Sequence, residues 1–421
     1  MPQASDLHPA RAEPGSNSLL RAALPPDLTE GADAADGPET TYAVGLDDRF
    51  DGTIDSPSDS DWVAVELEAG TEYIFSVWGR GGTDTGLEDT VLALRDGDGA
   101  ELDWRDDTGE NLFTLLRFTP QESGTHFLDV QGFDGSSGDY TLQVADAIYS
   151  PAQAASYMTE FDWGSPTQIA FDVAPGGTLS YDISDITPEG RKLAVWAMEA
   201  WQSVTGIAFV EGDTGAADIT FDDSEPGAFG GPSEFNPETG VNTRSDINIE
   251  AGWADDYGTT MDSFSLETYV HEVGHALGLG HPGPYDISQD YPAGRAFDND
   301  STQLTVMSYF GVEENPTVDG TPVSIVTPMI ADLVGVHDLY GTPSAYEGDT
   351  LWGAGGDVDG WPGKVLDALL ADAGEADPEF YAGGPVGMTL FDTGGEDTLD
   401  LGPVTAAQRI DLSPGAVSDA F

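Results

Sequence analysis

The 421-residue chain contains no cysteine. Disulfides, thiolate metal ligands and cysteine nucleophiles are therefore excluded. Positive charge is nearly as scarce. Thirteen Lys plus Arg stand against 77 Asp plus Glu, a formal net charge of −64, and the only lysines are Lys192 and Lys364. A surface of that sign repels phosphate backbones and anionic lipids, so nucleic acid and membrane surfaces are poor partners. Long apolar runs are missing too. No stretch approaches the ~20 apolar residues of a membrane span. The opening MPQASDLHPARAEPGSNSLLRAALPPDL lacks the apolar core of a signal peptide. Histidine is rare, yet three of the six histidines fall in one stretch, HEVGHALGLGHPG, from His271 to Gly283.

What is present describes a folded, soluble chain. Hydrophobic residues make up 39% and aromatics 10%, enough for two or three domains with buried cores. The acid excess has two compatible readings: a hydrated surface that stays soluble in salt, and carboxylates that bind Ca²⁺. Residues 1–40, rich in Pro, Ala, Asp and Glu, predict a flexible leader or propeptide. Residues 41–147 read as short alternating strands between Gly/Asp turns. In DWVAVELEAG, for example, Val63, Val65 and Leu67 fall opposite Trp62 and Ala64. That spacing predicts an antiparallel β-sandwich. From residue 150 the pattern changes. ITPEGRKLAVWAMEAWQSVTG predicts a helix with Thr187 as N-cap, Pro188 in the first turn and Gly206 just past the end. Strand candidates IAFVEG, ADITFDD and SDINIEAGW follow. The fold class expected is multidomain α+β.

The histidine stretch then carries the chemistry. Leu266, Val270, Val273 and Leu277 form one apolar helix stripe, and His271 and His275 lie one turn apart on an adjacent face. Glu272 falls about 100° round the helix, at the rim of the same site. Gly278 can take positive φ and turn the chain so that His281 returns. Three neutral imidazoles leave a fourth position open, the arrangement of a catalytic zinc centre. In that arrangement Zn²⁺ makes water acidic near neutrality, and Glu272 serves as general base. The alternative is an acidic binding protein whose sandwich contacts protein or glycan and whose zinc site is inactive. The presence of Glu272 argues against it, because a structural site needs no base.

Written out, the stretch is H-E-x-x-H-x-x-G-x-x-H, and it resembles the metzincin signature. TVMSYF follows downstream, with Met307 placed like the methionine of the metzincin turn. Tyr309, two residues on, resembles a tyrosine of the serralysin and astacin branches. The resemblance implies a fifth zinc ligand that swings away to stabilise an oxyanion. HEVGHALGLGHPG, VMSYF and IADLVGVHDLYG together resemble a serralysin-type metalloprotease. This implies a central protease domain at 150–345 with a twisted sheet and long helices. It also implies secretion, a monomer, and protein or peptide substrates lying along an edge strand. The segment from Asp218 to Phe221 and the glycine-rich run after it are the candidate edges. DWVAVEL through GDYTLQV resembles the pre-peptidase C-terminal domain family.

Residues 346–421 resemble the start of the serralysin C-terminal β-roll, apparently truncated. GGEDTLDLG supplies Gly394, Gly395, Asp397 and Asp400, and GDT supplies Gly348 and Asp349. Their oxygens are candidate Ca²⁺ ligands by that resemblance.

Overall fold

The computed structural model describes residues 28–420 apart from 110, 213–214, 286–290, 319 and 372–374. Ten strands come first: β1 (Leu28–Thr29), β2 (Ala43–Val44), β3 (Arg49–Ile54), β4 (Asp61–Leu67), β5 (Tyr73–Gly79), β6 (Thr90–Arg95), β7 (Glu101–Arg105), β8 (Thr114–Phe118), β9 (Gly124–Gly132) and β10 (Gly138–Asp146). They form two five-stranded sheets, ordered β1-β3-β10-β5-β8 and β2-β4-β9-β6-β7. All pairings are antiparallel except β1 with β3 and β2 with β4. The alternation read in β4 has its expected effect. Val63, Val65 and Leu67 enter one core with Phe75 and Val77 of the other sheet.

This sandwich begins earlier than residue 41. Leu28 and Thr29 pair with Phe50 and Asp51. The Glu30 carboxylate accepts from the Ala34 and Thr53 amides, and Ala34 is buried. Residues 28–29 are thus a strand of the sandwich, and residues 30–34 are tied to it, rather than belonging to a flexible leader. Backbone pairing, which composition does not report, decides this. The remainder of the expected leader, residues 1–27, lies outside the described residues.

Helix α1 (Pro151–Ser156) leads directly into a π-helical turn at Tyr157–Phe161. Then come β11 (Ala170–Phe171), β12 (Thr178–Asp182), α2 (Pro188–Thr205), β13 (Ala208–Glu211), β14 (Ile219–Asp222), β15 (Ala228–Phe235) and β16 (Val241–Ile249). The sheet order is β11-β16-β14-β12-β13, all parallel, with β15 antiparallel along β16. β14 holds the segment from Asp218 to Phe221 proposed as an edge, but it lies between β16 and β12 and is interior. The glycine-rich run after it is β15, whose second edge bonds to no described strand.

Helix α2 has the ends its sequence calls for. Thr187 Oγ1 accepts from Gly190 N at 3.2 Å, and Gly206 closes the helix at φ 64°. Trp201 is fully buried against the next long helix. That helix is α4 (Phe264–Ala276), preceded by α3 (Trp253–Tyr257) and followed by α5 (Tyr291–Gly294), β17 (Ser324–Ile325) and α6 (Ile330–Tyr340).

The C-terminal stretch is less β-rich than its resemblance implies. β18 (Leu351–Gly353), β19 (Val386–Gly387) and β20 (Thr398–Asp400) have two or three residues each, while α7 (Gly360–Leu370) has 11. GWPGKVLDALL buries Trp361, Val365 and Leu366 at helical spacing, and Trp361 stacks near Trp196 of α2. One core runs from the sandwich residues Ile74, Trp78 and Phe113 through α2 and α4 to Trp361 and Phe391. No helix of the described residues is long and apolar enough to cross a membrane.

Candidate active site

Helix α4 starts where Ser263 Oγ accepts from Leu266 N at 3.2 Å. Trp201 Nε1 donates to the Val270 carbonyl at 2.8 Å, which ties the helix to α2. Its end is fixed by three side-chain donors: Ser245 to Ala276 O, Tyr340 to Leu277 O and Trp163 to Gly278 O, each at 2.8 Å. Gly278 has φ 97°, and a Cβ there would stand 2.0 Å from Ile169 O. Only glycine makes this turn.

The turn brings His281 back. Ligand atoms of His271, His275 and His281 lie within 4.8 Å of one another. His271 Nδ1 is 2.8 Å from Val306 O, and His275 Nδ1 is 2.7 Å from Leu279 O. Each Nδ1 therefore carries the proton, and each Nε2 offers a lone pair to the common centre. His271 Nε2 is buried without a partner. His275 Nε2 faces His281 Nε2 at 3.1 Å, a separation that a shared cation accounts for. The three nitrogens, two of them on rings anchored through Nδ1 and the third on a residue held by its backbone amide, fit a zinc ion. Burial pushes His271 down to about 4 and His281 to about 3. His275 is also driven well down, by burial and then by its two imidazole neighbours. All three are neutral ligands at neutral pH.

Glu272 contributes no atom to that cluster. Its carboxyl is 4% exposed and Oε2 has no hydrogen-bond partner. Burial raises it to about 8, and a cation at the histidines opposes that shift. Gly230 of the edge strand lies over it: a Cβ there would be 3.1 Å from Oε2. Met307 sits beneath, with its sulfur where a Gly274 Cβ would be 2.5 Å away. Tyr309 is 36% exposed, with its ring centroid 4.7 Å from that of His281 and 5.5 Å from that of His271.

Three carboxylates that support the site were not singled out from the sequence. Asp332 on α6 accepts from Val306 N at 2.8 Å and Met329 N at 2.7 Å, and from Thr305 Oγ1. It thereby fixes the carbonyl that receives His271. Asp300 is fully buried and binds Ser308 Oγ at 2.7 Å. Asp162 Oδ2 receives the His281 amide at 2.7 Å. A carboxylate three residues inside α6 was readable as a helix-start signal; Asp162 and Asp300 were not readable.

The C-terminal residues also come together. β18 and β20 pair in parallel, and a Cβ on Gly395 would be 2.4 Å from Gly348 O. Asp349 Oδ1 accepts from Glu396 N, and Asp397 Oδ1 from Thr350 N, both at 2.9 Å. Asp400 Oδ1 accepts from Gly402 N at 2.8 Å. Asp349, Asp397 and Asp400 do not form a three-ligand cluster among the described residues.

Comparison with known proteins agrees with the central site. A family model described as matrixin, a peptidase, matches residues 175–290. A serralysin of Photorhabdus sp. (strain Az29) is 29% identical over 247 residues, 56% of this chain and 47% of the relative. Metallopeptidase AprA of Pseudomonas marginalis is 26% identical over 246 residues, 56% of this chain and 49% of the relative. Serralysin C of Dickeya chrysanthemi is 32% identical over 162 residues, 38% and 30% of the two chains. The chain spans about half the length of the curated relatives it matches. The solved pre-peptidase C-terminal domain of a Bacillus anthracis collagenase is 18% identical, covering 24% of this chain and 92% of that one with a TM-score of 0.19. At residues 175–290 the chain is similar to the matrixin peptidases, and over about half its length it is similar to the serralysins.

Proposed function

We propose that the chain is a zinc-dependent endopeptidase that is secreted and hydrolyses peptide bonds of extracellular proteins. The observation that carries this is the convergence of three imidazoles, two of them anchored through Nδ1, beside a buried carboxyl whose Oε2 has no partner. His271, His275 and His281 would hold the ion. A zinc ion there supplies Lewis acidity, which makes water acidic near neutrality and offsets charge on the scissile carbonyl. Glu272 accepts the proton of the attacking water and returns it to the leaving amine. Tyr309, beside His271 and His281, donates its hydroxyl to the developing oxyanion. The peptide lies extended along β15, whose free edge offers main-chain hydrogen bonds directly above Glu272. The buried surroundings of Glu272 keep bulk water from competing for its proton.

Casein hydrolysis by the purified chain is expected to cease with a zinc chelator and return with Zn²⁺. Glu272→Ala is expected to keep its zinc and lose at least ~10³-fold in kcat. Tyr309→Phe lowers kcat with KM nearly unchanged. Equal inertness of wild type and Glu272→Ala, with zinc present in both, would sink the peptidase reading. We also infer that the stacked segments 348–350 and 394–400 take Ca²⁺ through Asp349, Asp397, Asp400 and the carbonyls beside Gly348 and Gly395. Hard oxygens and close glycine backbones support this. Millimolar Ca²⁺ is expected to raise the melting temperature of wild type more than that of Asp349→Ala/Asp397→Ala; equal shifts would refute it.

A further inference from the structure

Two consecutive residues outside the metal-binding motif grip the loop that delivers the third histidine. Trp163 Nε1 holds Gly278 O at 2.8 Å, and Asp162 Oδ2 receives His281 N at 2.7 Å. Met158 O accepts from Gly280 N at 2.8 Å between them. Segment 157–163 therefore clamps residues 278–281 from outside. The clamp begins with the π-helical turn, a wide turn whose C-terminal carbonyls need partners from elsewhere.

Phe161 O accepts from Gly164 N at 3.1 Å, and a second donor reaches it from the sandwich. The loop between β7 and β8 closes through reciprocal backbone bonds of Thr108 and Asn111 at 2.9 and 3.1 Å. Asn111 Nδ2 donates to Phe161 O at 2.6 Å and reaches Asp162 O at 3.4 Å. Asn111 Oδ1 accepts from Phe113 N at 3.0 Å, which fixes the amide's orientation. Phe113, fully buried, meets the Phe161 ring edge-on at 6.0 Å. At the loop tip, Gly109 lies over Pro284, just beyond His281. The docking is tied elsewhere by Arg49 to Glu160 and Arg117 to Asp298, both at 2.7 Å.

We propose that the sandwich is a working part of the active site, and that Asn111 is a positioning residue for His281. It acts through the Phe161 and Asp162 carbonyls, the Asp162 carboxylate and the His281 amide. The proposal rests on the metal-centre reading above. A sandwich that only tethers substrate or spaces domains has no need to satisfy carbonyls under a ligand loop.

The test uses the whole 421-residue chain loaded with zinc. Asn111→Asp preserves size and the bond to Phe113 N, but sets a carboxylate oxygen against the Phe161 carbonyl. Zinc release to a chromogenic chelator is expected to accelerate roughly five- to tenfold, somewhat below the usual effect of groups touching a ligand directly. The visible bands of the Co²⁺-substituted protein shift, and kcat falls while KM holds. Glu238→Ala, which cuts the sandwich contact with Thr83 and Asp84 at the far end of β15, leaves zinc release at the wild-type rate. Asn111→Asp combined with Asp162→Asn releases zinc no faster than the faster single variant, because both lie on one path. If Asn111→Asp does not fold, Asn111→Ser replaces it, read by faster hydrogen exchange of the 278–281 amides. A folded Asn111 variant with unaltered zinc release and Co²⁺ bands, or fully multiplicative rates in the double variant, overturns the brace. A wild-type chain that binds no zinc overturns the metal-centre reading itself, a separately visible result.

Discussion

Gly274 sits inside the helix that carries His271 and His275, where glycine is a poor helix former, and its missing side chain makes room for Met307 and Trp201. A Cβ there would come within 2.5 Å of Met307 Sδ and 3.0 Å of Trp201 Cζ2. Gly274→Ala is expected to cost about 1–3 kcal/mol through overpacking and to weaken zinc binding by lifting α4 off its methionine floor. Urea unfolding with and without zinc measures both; a variant as stable as wild type would show that the floor gives way freely. His271, Glu272 and His275 were legible because helical periodicity puts them together, and Gly278 and His281 because a glycine turn follows the helix at a fixed spacing. Asp162 and Trp163 were not. They act from more than a hundred positions away in sequence, and an Asp-Trp pair in a loop has no distinguishing spacing.

Elements carry the support of the site. The segment before Tyr309 is tied down by Asp300 and Asp332, two fully buried acids. Asp300 has an unpartnered Oδ2, and burial raises its carboxyl to about 7 from 3.8. The sign follows from proton binding. Between these values the folded chain holds a proton that the unfolded chain has released, so this group's contribution to stability falls as pH rises. The loss is complete above about pH 7 and amounts to about 4 kcal/mol at most. Asp300→Asn stays neutral throughout. Its stability relative to wild type is expected to improve from pH 5 to about pH 7 and then level off in urea titrations; a pH-independent difference would mean that Asp300 is ionised in the fold. The strand β15 shows the limit of reading elements from sequence. AFGGPSEF lacks alternation and contains proline and two glycines, yet it forms the edge strand. An edge tolerates those residues because one side of its backbone needs no partner. The helix α2, by contrast, was readable to the residue because its caps are local chemistry.

At the scale of the whole molecule, the charge of −64 sets the response to salt. Self-repulsion is screened as the Debye length shrinks from about 10 Å at 0.1 M to about 3 Å at 1 M. The melting temperature is therefore expected to rise with NaCl by on the order of 5 °C. Surface pairs such as Arg409–Asp419 weaken over the same range but contribute little individually. A melting temperature that falls with salt would mean that attractive pairs dominate. The acid excess was visible from composition alone, and residue patterns pointed to a sandwich, a central domain of strands and helices and a three-histidine motif. All of these depend on patterns within a few tens of residues. Tertiary structure decided where the sandwich starts, which strand is the edge and what the sandwich touches. It decided as well which distant carboxylates hold the ligand loops. Those outcomes depend on backbone hydrogen bonds and buried polar pairs between segments far apart in the chain. Their energies depend on packing rather than on local spacing.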